Sequence, residues 1–490
     1  MTFKISKKLE IAIFVIIFLL GFLVRLYRFN NPIADWHSWR QSDTSAVSRN
    51  FVRFGFDVLH PKFEDISNVA SGLDNPNGYR FVEFPIYNVL QAAGYKYIGV
   101  LTLEEWGRLV TIIDSLISAG FLLLIVKKRF GKAAGYLSAF FFLFLPFNIY
   151  YSRTILPDPS MVTTVLGATY FFDKWLSNGL KHRRLSVNYW KYFVLSLFLM
   201  TVSLLLKPYA LFFTLPLIYL SFETFGIKFM FKWQLWLFLI ISVTPLALWR
   251  IWMLKYPEGI PASSWLFNGN GIRFRPAFFR WIFYERLTKL ILGFFGDIFL
   301  VFAFVKKYKT SDLLFLLSFV ASSLIYVCVL ATGNVQHDYY QILVVPTIAM
   351  ILALGSLSLI TYFNRKKPNF GVGVFVLVTA LTLYFGWGQV EGYFNINNPS
   401  IVIAGEAVDK LTPKNAKVIA NYDGDTSFLY QTKRNGWASF EKPLPVMIND
   451  LGADYLVLAN PTRVDLGLGK TYKIIKLTKQ YVIFNLREKP

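Results

Sequence analysis

The chain has 490 residues, of which 55% are hydrophobic and only 16% are charged, and its mean hydropathy is +0.44. Soluble domains carry about 25% charged residues, so this composition excludes an ordinary soluble protein. The formal net charge is +22. Much of that excess lies in short Lys- and Arg-rich clusters between apolar runs, which is typical of cytoplasmic loops in membrane proteins. The charge therefore indicates membrane topology, and we expect no nucleic-acid partner.

Apolar runs long enough to cross a bilayer, about 20 residues each, recur along the chain. Together with the basic clusters they predict an all-α polytopic membrane protein with about eleven transmembrane helices. The N-terminus is expected in the cytoplasm and the C-terminus outside. The predicted spans are 10–28, 107–126, 133–152, 159–177, 189–206, 209–226, 234–253, 287–305, 312–332, 341–361 and 370–388.

The apolar run from Phe84 to Leu103 is not counted among these spans. A crossing here would move every later basic cluster, such as Arg365 to Lys367, to the outside. We therefore expect an interfacial helix within a long external loop, residues 29–106. The alternative is a crossing that another segment compensates.

The composition changes after Gln389, where the long apolar runs stop. Residues 396–490 instead alternate short strand and helix patterns, which predicts a small extracytoplasmic α/β domain. Strands are expected at 416–421, 455–459, 472–477 and 481–486, with a short helix at 446–452. Residues 1–395 then form a transmembrane module that includes the long external loop.

This topology places the unusual polar residues on the external side, beginning with the stretch Asp35 to Phe51 (DWHSWRQSDTSAVSRNF). The stretch contains His37, Arg40 and Asp43. If a helix begins near Ser42, Asp43 is either its N-cap or a functional carboxylate, and the residue pattern leaves both interpretations open.

Two further external clusters contain carboxylates that precede a proline or a helix. Glu83 stands before Phe84 and Pro85, where it is either functional or a charge favoured at a helix start. Arg153 and Asp158 lie in YYSRTILPDP, residues 150–159. Asp158 is a natural cap because Pro159 suits the first helical position, and an Arg153–Asp158 ion pair is another alternative.

The last cluster is HDYY, which supplies His337, Tyr339 and Tyr340 at a helix start. One histidine is too few for a zinc site of ordinary spacing, so a substrate-binding role is expected. Arg108 and Lys207 add cations near the external membrane face, where single cations often only extend to the interface. No nucleotide-binding motif stands in a credible setting, so a phosphate here would have to come from a lipid carrier.

These clusters resemble the successive motifs of one family, the bacterial C-type glycosyltransferases. More narrowly, they are similar to the superfamily of protein O-mannosyltransferases and lipid A aminoarabinose transferases. The resemblance covers about residues 10–390. The motifs are WHSWRQSDTSAVSRNF, VEFPIYNVL, YYSRTILPDPSMV, LLKPYALFFTLPL and HDYYQILVVPTIAMILALG.

The resemblance implies a sugar donor attached to polyprenyl phosphate, inversion at the anomeric carbon, and an acidic residue of the first external loop as base. Asp43 matches that base, with Asp35 as the fallback. Asp158 and Glu83 match the acids of the two later loops. Arg40-Gln41 replaces an upstream acidic pair found in relatives.

The candidates to hold the donor phosphate are four cations: Arg40, Arg108, Arg153 and Lys207. Some relatives place a metal near the residue that matches Glu83, so a divalent metal there is a candidate cofactor. Phe84, however, replaces a basic residue of certain members.

The predicted function is transfer of a sugar to an acceptor hydroxyl at the outer face of the plasma (inner) membrane. The alternatives are a polysaccharide polymerase or ligase and a flippase or transporter of lipid-linked sugars. The acceptor class stays open among lipid, glycan and protein. Membrane lipid is the other expected partner, and His37, His337, Tyr339 and Tyr340 are the expected substrate contacts.

Overall fold

The computed structural model describes residues 6–181 and 187–490, and most of them are helical. The helices of the membrane module are α1 (Lys7–Leu23), α2 (Ser38–Phe54), α3 (Ile86–Ala93), α4 (Leu103–Phe130), α5 (Lys132–Phe144), α6 (Pro146–Tyr151), α7 (Asp158–Lys181), α8 (Val187–Leu206), α9 (Leu215–Phe225), α10 (Trp233–Met253), α11 (Trp265–Asn268), α12 (Pro276–Phe279), α13 (Asp297–Ala303), α14 (Thr310–Val329), α15 (Ala331–Gln336), α16 (Val345–Asn364) and α17 (Phe370–Val390).

Eight helical segments in the described residues are long and apolar enough to cross a membrane. They overlap eight of the eleven predicted spans. The other three coincide with helices that are interrupted or more polar: α5 ends before Pro146, α7 carries Asp173 and Lys174, and a break at 292–296 separates α13 from the preceding π-helix. The chain is thus a multi-pass membrane protein. The predicted interfacial segment folds as the eight-residue helix α3 and one π-helical turn, and it is not among the eight.

Two of the spans begin with a 3₁₀ segment directly before a proline-started α-helix. Pro208–Thr214 leads into α9, and Asp338–Val344 leads into α16. Proline fits the first turn of a helix because it lacks the N–H that would stay unpaired there. These tight 3₁₀ turns place Lys207 and the tyrosines at positions 209, 339 and 340 at the same end of the helix bundle.

Helix α2 is polar in sequence, yet most of its side chains from Ser38 to Phe51 are buried. It lies against α3, α4 and the C-terminal domain. Several of its polar groups are paired with α3: the Ser48 hydroxyl donates to Gln91, and the Gln91 amide donates to Ser45. Such pairing is needed because a buried polar group without a partner costs about 1–3 kcal/mol.

The C-terminal domain is a five-stranded sheet flanked by short helices. The strands are β1 (Val418–Ala420), β2 (Gly436–Trp437), β3 (Tyr455–Ala459), β4 (Lys473–Leu477) and β5 (Tyr481–Asn485), and the helices are α18 (Pro399–Leu411), α19 (Ser427–Thr432), α20 (Leu444–Asn449) and α21 (Arg463–Leu466). The order in space is β2-β1-β3-β5-β4; β1 pairs in parallel with β2 and β3, and β5 is antiparallel to β3 and β4. The four predicted strands are confirmed, whereas two-residue β2 was not predicted.

Each face of this sheet also buries a side chain from residues 29–106, the long segment between α1 and α4 that is called the N-terminal loop below. Val418 and Ala420 point into a core that includes Ala34, while Ile419 points into the opposite core, which includes Ile66. This alternation follows from the two-residue period of a strand. The N-terminal loop therefore contributes to both hydrophobic layers of the C-terminal domain.

The same loop extends the sheet beyond β2. The Ile66 N–H donates to the Gly436 carbonyl at 2.8 Å, and the Gly436 N–H donates to the Glu64 carbonyl at 3.0 Å. Gly436 is required here because a Cβ would lie 1.8 Å from the Val418 carbonyl oxygen. Backbone pairing thus fixes residues 64–66 to the domain.

A buried ion pair strengthens this junction. Arg49 of α2 donates to Glu64 at 2.8 Å, and its guanidinium lies 3.6 Å from the ring centroid of Tyr430 in α19. Arg49 also donates to the Tyr430 carbonyl. Burial raises the pKa of Glu64, and the nearby arginines oppose that rise.

We predict that Glu64→Gln destabilises the protein by about 1–3 kcal/mol, because the buried Arg49 loses the nearer of its two counter-charges and keeps only Glu104 at 3.3 Å. Thermal unfolding in detergent measures this change. The matched control is Glu488→Gln, which breaks an exposed pair with Lys473 and should leave the unfolding midpoint unchanged. Equal effects of the two substitutions would contradict the structural role assigned to Glu64.

Candidate active site

A cavity of about 490 Å³ lies where the membrane module meets the C-terminal domain. Its walls come from α2, the loop before α3, the stretch after α10, both 3₁₀ segments and a loop of the C-terminal domain. Four cations and three carboxyl groups line it: Arg40, Arg80, Lys207, Arg250, Asp43, Asp65 and Glu83. Aromatic side chains form much of the remaining wall: Trp39, Phe63, Phe81, Tyr209, Trp265, Phe267, Tyr339 and Tyr340.

Asp43 lies on α2 with its carboxylate held from two sides. Arg80 donates to Oδ2 at 2.5 Å, and the Thr426 hydroxyl donates to Oδ1 at 2.7 Å. The N-cap interpretation is wrong, because α2 begins at Ser38 and its capping residue is His37. A carboxylate offers about four acceptor positions, so two such bonds leave acceptor capacity on the cavity side.

Arg40 and Glu83 form the second buried pair of the cavity, with Arg40 Nη2 2.5 Å from Glu83 Oε1. Burial acts to raise the pKa of Glu83, but the charges of Arg40, Lys207 and Arg80 outweigh it and hold that pKa below its usual value. Glu83 is therefore ionised. Its partner lies on α2, so it does not act as a helix-start charge for α3, which begins three residues later at Ile86.

Lys207 and Asp158 face each other behind the cavity. Lys207 Nζ lies 3.5 Å from Asp158 Oδ2, and neither carboxylate oxygen accepts a close hydrogen bond. Asp158 is in the first turn of α7, but without such bonds its side chain does not cap the helix. Lys207 lines the cavity and so places its charge between Asp158 and that space.

The remaining predicted cations do not line the cavity. Arg108 donates to the carbonyls of Phe29 and Asn31. Arg153 pairs with Asp35 at 3.0 Å, so the alternative Arg153–Asp158 pair is wrong. These fully buried groups hold the start of the N-terminal loop against α4 and α6.

His37 and His337 lie just outside the cavity. His37 is 2.6 Å from the carboxylate of Asp338, which also accepts from other buried donors. The His337 ring packs against Trp39 and Tyr339, both of which line the cavity. Burial, reinforced by the nearby His37, lowers the pKa of His337 to about 4, so it supports the wall as a neutral ring.

The polar residues of the cavity that were not predicted from the sequence include Arg80, Asp65, Arg250 and Thr426. Arg250 could have been predicted as a site residue, since it is a lone cation near the end of an apolar helix. Its contact is a long hydrogen bond of 3.4 Å to the Val82 carbonyl. Within the described residues it has no carboxylate within 4 Å, so no close ion pair neutralises its charge. The other three lie in irregular segments without a local pattern.

Burial raises the pKa of Asp65 from 3.8 to about 6, although the bonds from Ser67 act in the opposite direction. The Ser67 hydroxyl and backbone N–H both donate to this carboxyl group. Asp65 therefore titrates near neutral pH beside Asp43.

The residues around Glu83 do not provide a metal site. In the part of the chain that the structure describes, no three His, Cys, Asp or Glu side chains converge as metal ligands. The charges nearest Glu83 are the cations Arg40, Lys207 and Arg80, and they would repel a divalent metal. Glu83 thus has the surroundings of an ion-pair partner.

We predict that Asp65→Asn stabilises the protein more at pH 7.5 than at pH 4.5. The folded-state pKa of Asp65 is raised, so its contribution to stability is full below about pH 3.8 and is lost as the pH rises through about 6. The raised pKa corresponds to at most about 3 kcal/mol. Thermal unfolding of wild type and variant at both pH values measures this difference. Asp74→Asn, in the same loop but exposed, is the control, and a pH-independent effect of Asp65→Asn would contradict the assignment.

Residues 83–252 match the family model described as dolichyl-phosphate-mannose-protein mannosyltransferase. No curated protein matches the chain. Among solved structures, ArnT from Cupriavidus metallidurans bound to undecaprenyl phosphate is similar with a TM-score of 0.64 at 14% identity, over 98% of both chains. The oligosaccharyltransferase AglB from Archaeoglobus fulgidus, in complex with an inhibitory peptide and a dolichol-phosphate, gives 0.56 at 12% identity, over 97% of this chain and 74% of that one.

The similarity to ArnT extends through the C-terminal sheet domain, since it covers nearly the whole of each chain. At these identities it is a likeness of fold, and the family model adds a sequence match across the segment from Glu83 to Trp252. The chain thus has the C-type glycosyltransferase fold that its motifs predict, and over residues 83–252 the predicted resemblance to the protein mannosyltransferases is confirmed by the family model.

Proposed function

We propose that this protein is an inverting glycosyltransferase that moves a sugar from a polyprenyl-phosphate donor to an acceptor hydroxyl. The observation that carries the proposal is the position of Asp43. Its carboxylate lies in a cavity at the end of a membrane helix bundle that four cations also line. A lipid-linked phosphate can reach this place from the bilayer, and its sugar would then lie in the space that Asp43 faces.

The helix ends support a cavity on the extracytoplasmic side of the plasma (inner) membrane. Helix α4 begins beside the cavity wall and ends at Phe130, next to the basic cluster Lys127 to Lys132. Helix α16 follows the 3₁₀ segment that lines the cavity and ends before Arg365 to Lys367. Basic residues favour the cytoplasmic side, so the N-terminus would be cytoplasmic and both the cavity and the C-terminal domain extracytoplasmic.

In the proposed reaction the acceptor oxygen attacks the anomeric carbon while Asp43 takes the proton of its hydroxyl. The bond between the anomeric carbon and the phosphate oxygen breaks, and the electron pair leaves with the polyprenyl phosphate. Attack opposite the leaving group inverts the anomeric centre. General-base catalysis of this kind contributes about 10²–10⁴-fold to the rate.

The leaving phosphate needs positive charge that is not already neutralised. Arg250 is the strongest candidate because it has no carboxylate partner among the described residues. Lys207 is the next, since its contact with Asp158 is 3.5 Å long. Arg40 and Arg80 are held by carboxylates at 2.5 Å, so they add to the field around the phosphate. Carriers of this class, undecaprenyl phosphate and dolichol-phosphate, are present in two of the similar structures.

The aromatic wall supplies surfaces for a sugar ring. Tyr339 and Tyr340 lie on the cavity next to Trp265, and their rings are 4.6 Å apart. We assign these side chains to substrate binding. His337 supports them, and Glu83 and Asp158 hold the cations Arg40 and Lys207 in place rather than taking part in proton transfer.

We predict that Asp43→Asn lowers sugar transfer by about 10²–10⁴-fold, because the amide cannot accept the proton. Purified protein in liposomes is given a panel of radiolabelled polyprenyl-phosphate sugars and an envelope fraction that contains lipids, glycans and proteins. Label on an acceptor measures transfer. Asp74→Asn should transfer at the wild-type rate, and the Asp43→Asn protein should still bind undecaprenyl phosphate.

The outcomes of this assay separate the alternatives. Label that only changes leaflet would favour a lipid-linked sugar flippase, and processive growth of a glycan on its own carrier would favour a polymerase. Near-normal transfer by the Asp43→Asn variant would exclude Asp43 as the base. A flippase or transporter would be expected to carry charged substrate-binding groups within its membrane helices. Asp114, a carboxylate within α4, is instead bound by the Ser160 hydroxyl and does not line the cavity, which disfavours this alternative.

A further inference from the structure

We infer that Thr426 of the C-terminal domain is a positioning residue that fixes the orientation of the Asp43 carboxylate, so that this domain forms part of the active site. The inference rests on the proposed role of Asp43 as general base. Thr426 is separated from Asp43 by nearly the whole chain, yet its hydroxyl is one of the two groups that hold the carboxylate.

The Thr426 hydroxyl has one hydrogen to donate. Its two acceptors within reach are Asp43 Oδ1 at 2.7 Å and the Trp39 carbonyl at 3.3 Å. The shorter distance is in the range of a good hydrogen bond, so the proton lies toward Asp43. Arg80 holds Oδ2 from the opposite side. With a donor on each oxygen, the carboxylate plane cannot rotate without breaking one of these bonds.

The loop that carries Thr426 is itself rigidly built. The Tyr422 and Gly424 N–H groups both donate to the Ala438 carbonyl, and the Ser427 N–H donates to the Asp425 carboxylate at 2.8 Å. Gly424 has a φ of +85°, a backbone conformation that glycine adopts without the steric cost of a Cβ. This loop therefore places Thr426 by its own geometry, before any substrate is present.

Helix α19, which begins one residue after Thr426, is fixed to α2 over the next turn. The Tyr430 hydroxyl lies 2.9 Å from the Ser45 hydroxyl, and its carbonyl accepts from Arg49. The Gln431 amide donates to the Ile33 carbonyl at 2.8 Å. Ser45 and Arg49 follow Asp43 along α2, so the Tyr430 contacts hold the two helices in the register that brings Thr426 to Asp43.

Precise placement is what a general base requires, since a misplacement of about 1 Å can lower the rate about 100-fold. Thr426→Val keeps the shape of the side chain but removes the hydroxyl, so Asp43 is free to rotate about its remaining bond to Arg80. Thr426→Ser keeps the hydroxyl. We therefore expect a loss of turnover in the valine variant and its recovery in the serine variant.

The experiment compares wild type, Thr426→Val, Thr426→Ser and Thr432→Val in the liposome assay, with a polyprenyl-phosphate sugar that the wild type transfers. Thr426→Val should lower kcat about 10- to 100-fold with little change in the donor KM, and Thr426→Ser should restore at least half of the wild-type kcat. Thr432→Val is the matched control, because Thr432 is a buried residue of α19 whose hydroxyl donates to the Leu429 carbonyl of its own helix. It should leave kcat unchanged. A kcat for Thr426→Val within twofold of wild type, or an equal loss in Thr432→Val, would overturn the inference.

A second measurement separates this inference from the proposed function, since it needs no substrate. Thermal unfolding is followed for Thr426→Val, Asp43→Ala and the double variant. If the hydroxyl acts on Asp43, Thr426→Val lowers the midpoint by about 1–2 °C in the wild-type background and has no effect in the Asp43→Ala background. Equal shifts in both backgrounds would overturn the inference. Coupling without any sugar transfer by the wild type would leave the contact established and contradict the proposed function alone.

Discussion

The structure depends on the burial of charge along α2. This helix has few apolar residues, yet it lies between the membrane module and the C-terminal domain with most of its surface covered. An isolated buried charge costs several kcal/mol, so each ionised group of the buried part needs a partner. Arg40 has Glu83, Asp43 has Arg80, and Arg49 has Glu64. All three partners come from one irregular segment, which therefore has to cover the helix.

This pairing explains why the catalytic candidate and its surroundings come from distant parts of the sequence. The segment from Glu64 to Glu83 is held over α2 by ion pairs, and its first residues extend the sheet of the C-terminal domain. These parts form one side of the cavity, and residues of the membrane module such as Lys207, Arg250 and Tyr339 form the other walls. Without a ligand, the positive and negative charges that line the cavity nearly cancel. Most of the positive charge that no short ion pair neutralises belongs to Arg250 and Lys207. A phosphate that enters would meet positive charge without first having to break a short ion pair.

The sequence predicted the helical segments and most of the strands because these depend on local periodicity. It also predicted that Asp43, Glu83, Arg40 and Lys207 belong together, since their motifs resemble those of one family. It could not predict Arg80 or Thr426, whose positions follow from tertiary packing of irregular segments. The sequence also could not predict the role of Arg108. An arginine at the membrane edge is suited to bind a phosphate, but Arg108 instead donates to backbone carbonyls. Local sequence does not distinguish these two uses of the side chain.

The contribution of residues 64–66 to the sheet of the C-terminal domain has a consequence for biosynthesis. Ala34 and Ile66 leave the ribosome about 370 residues before their partners, such as Ile401 and Trp437. At about 5–20 residues per second, the ribosome needs roughly 20 to 80 seconds to proceed from Asp43 to Thr426. The membrane helices are inserted during this interval, while polar α2 still lacks the surface that covers it. The candidate site around Asp43 is therefore complete only after the C-terminal domain has been synthesised.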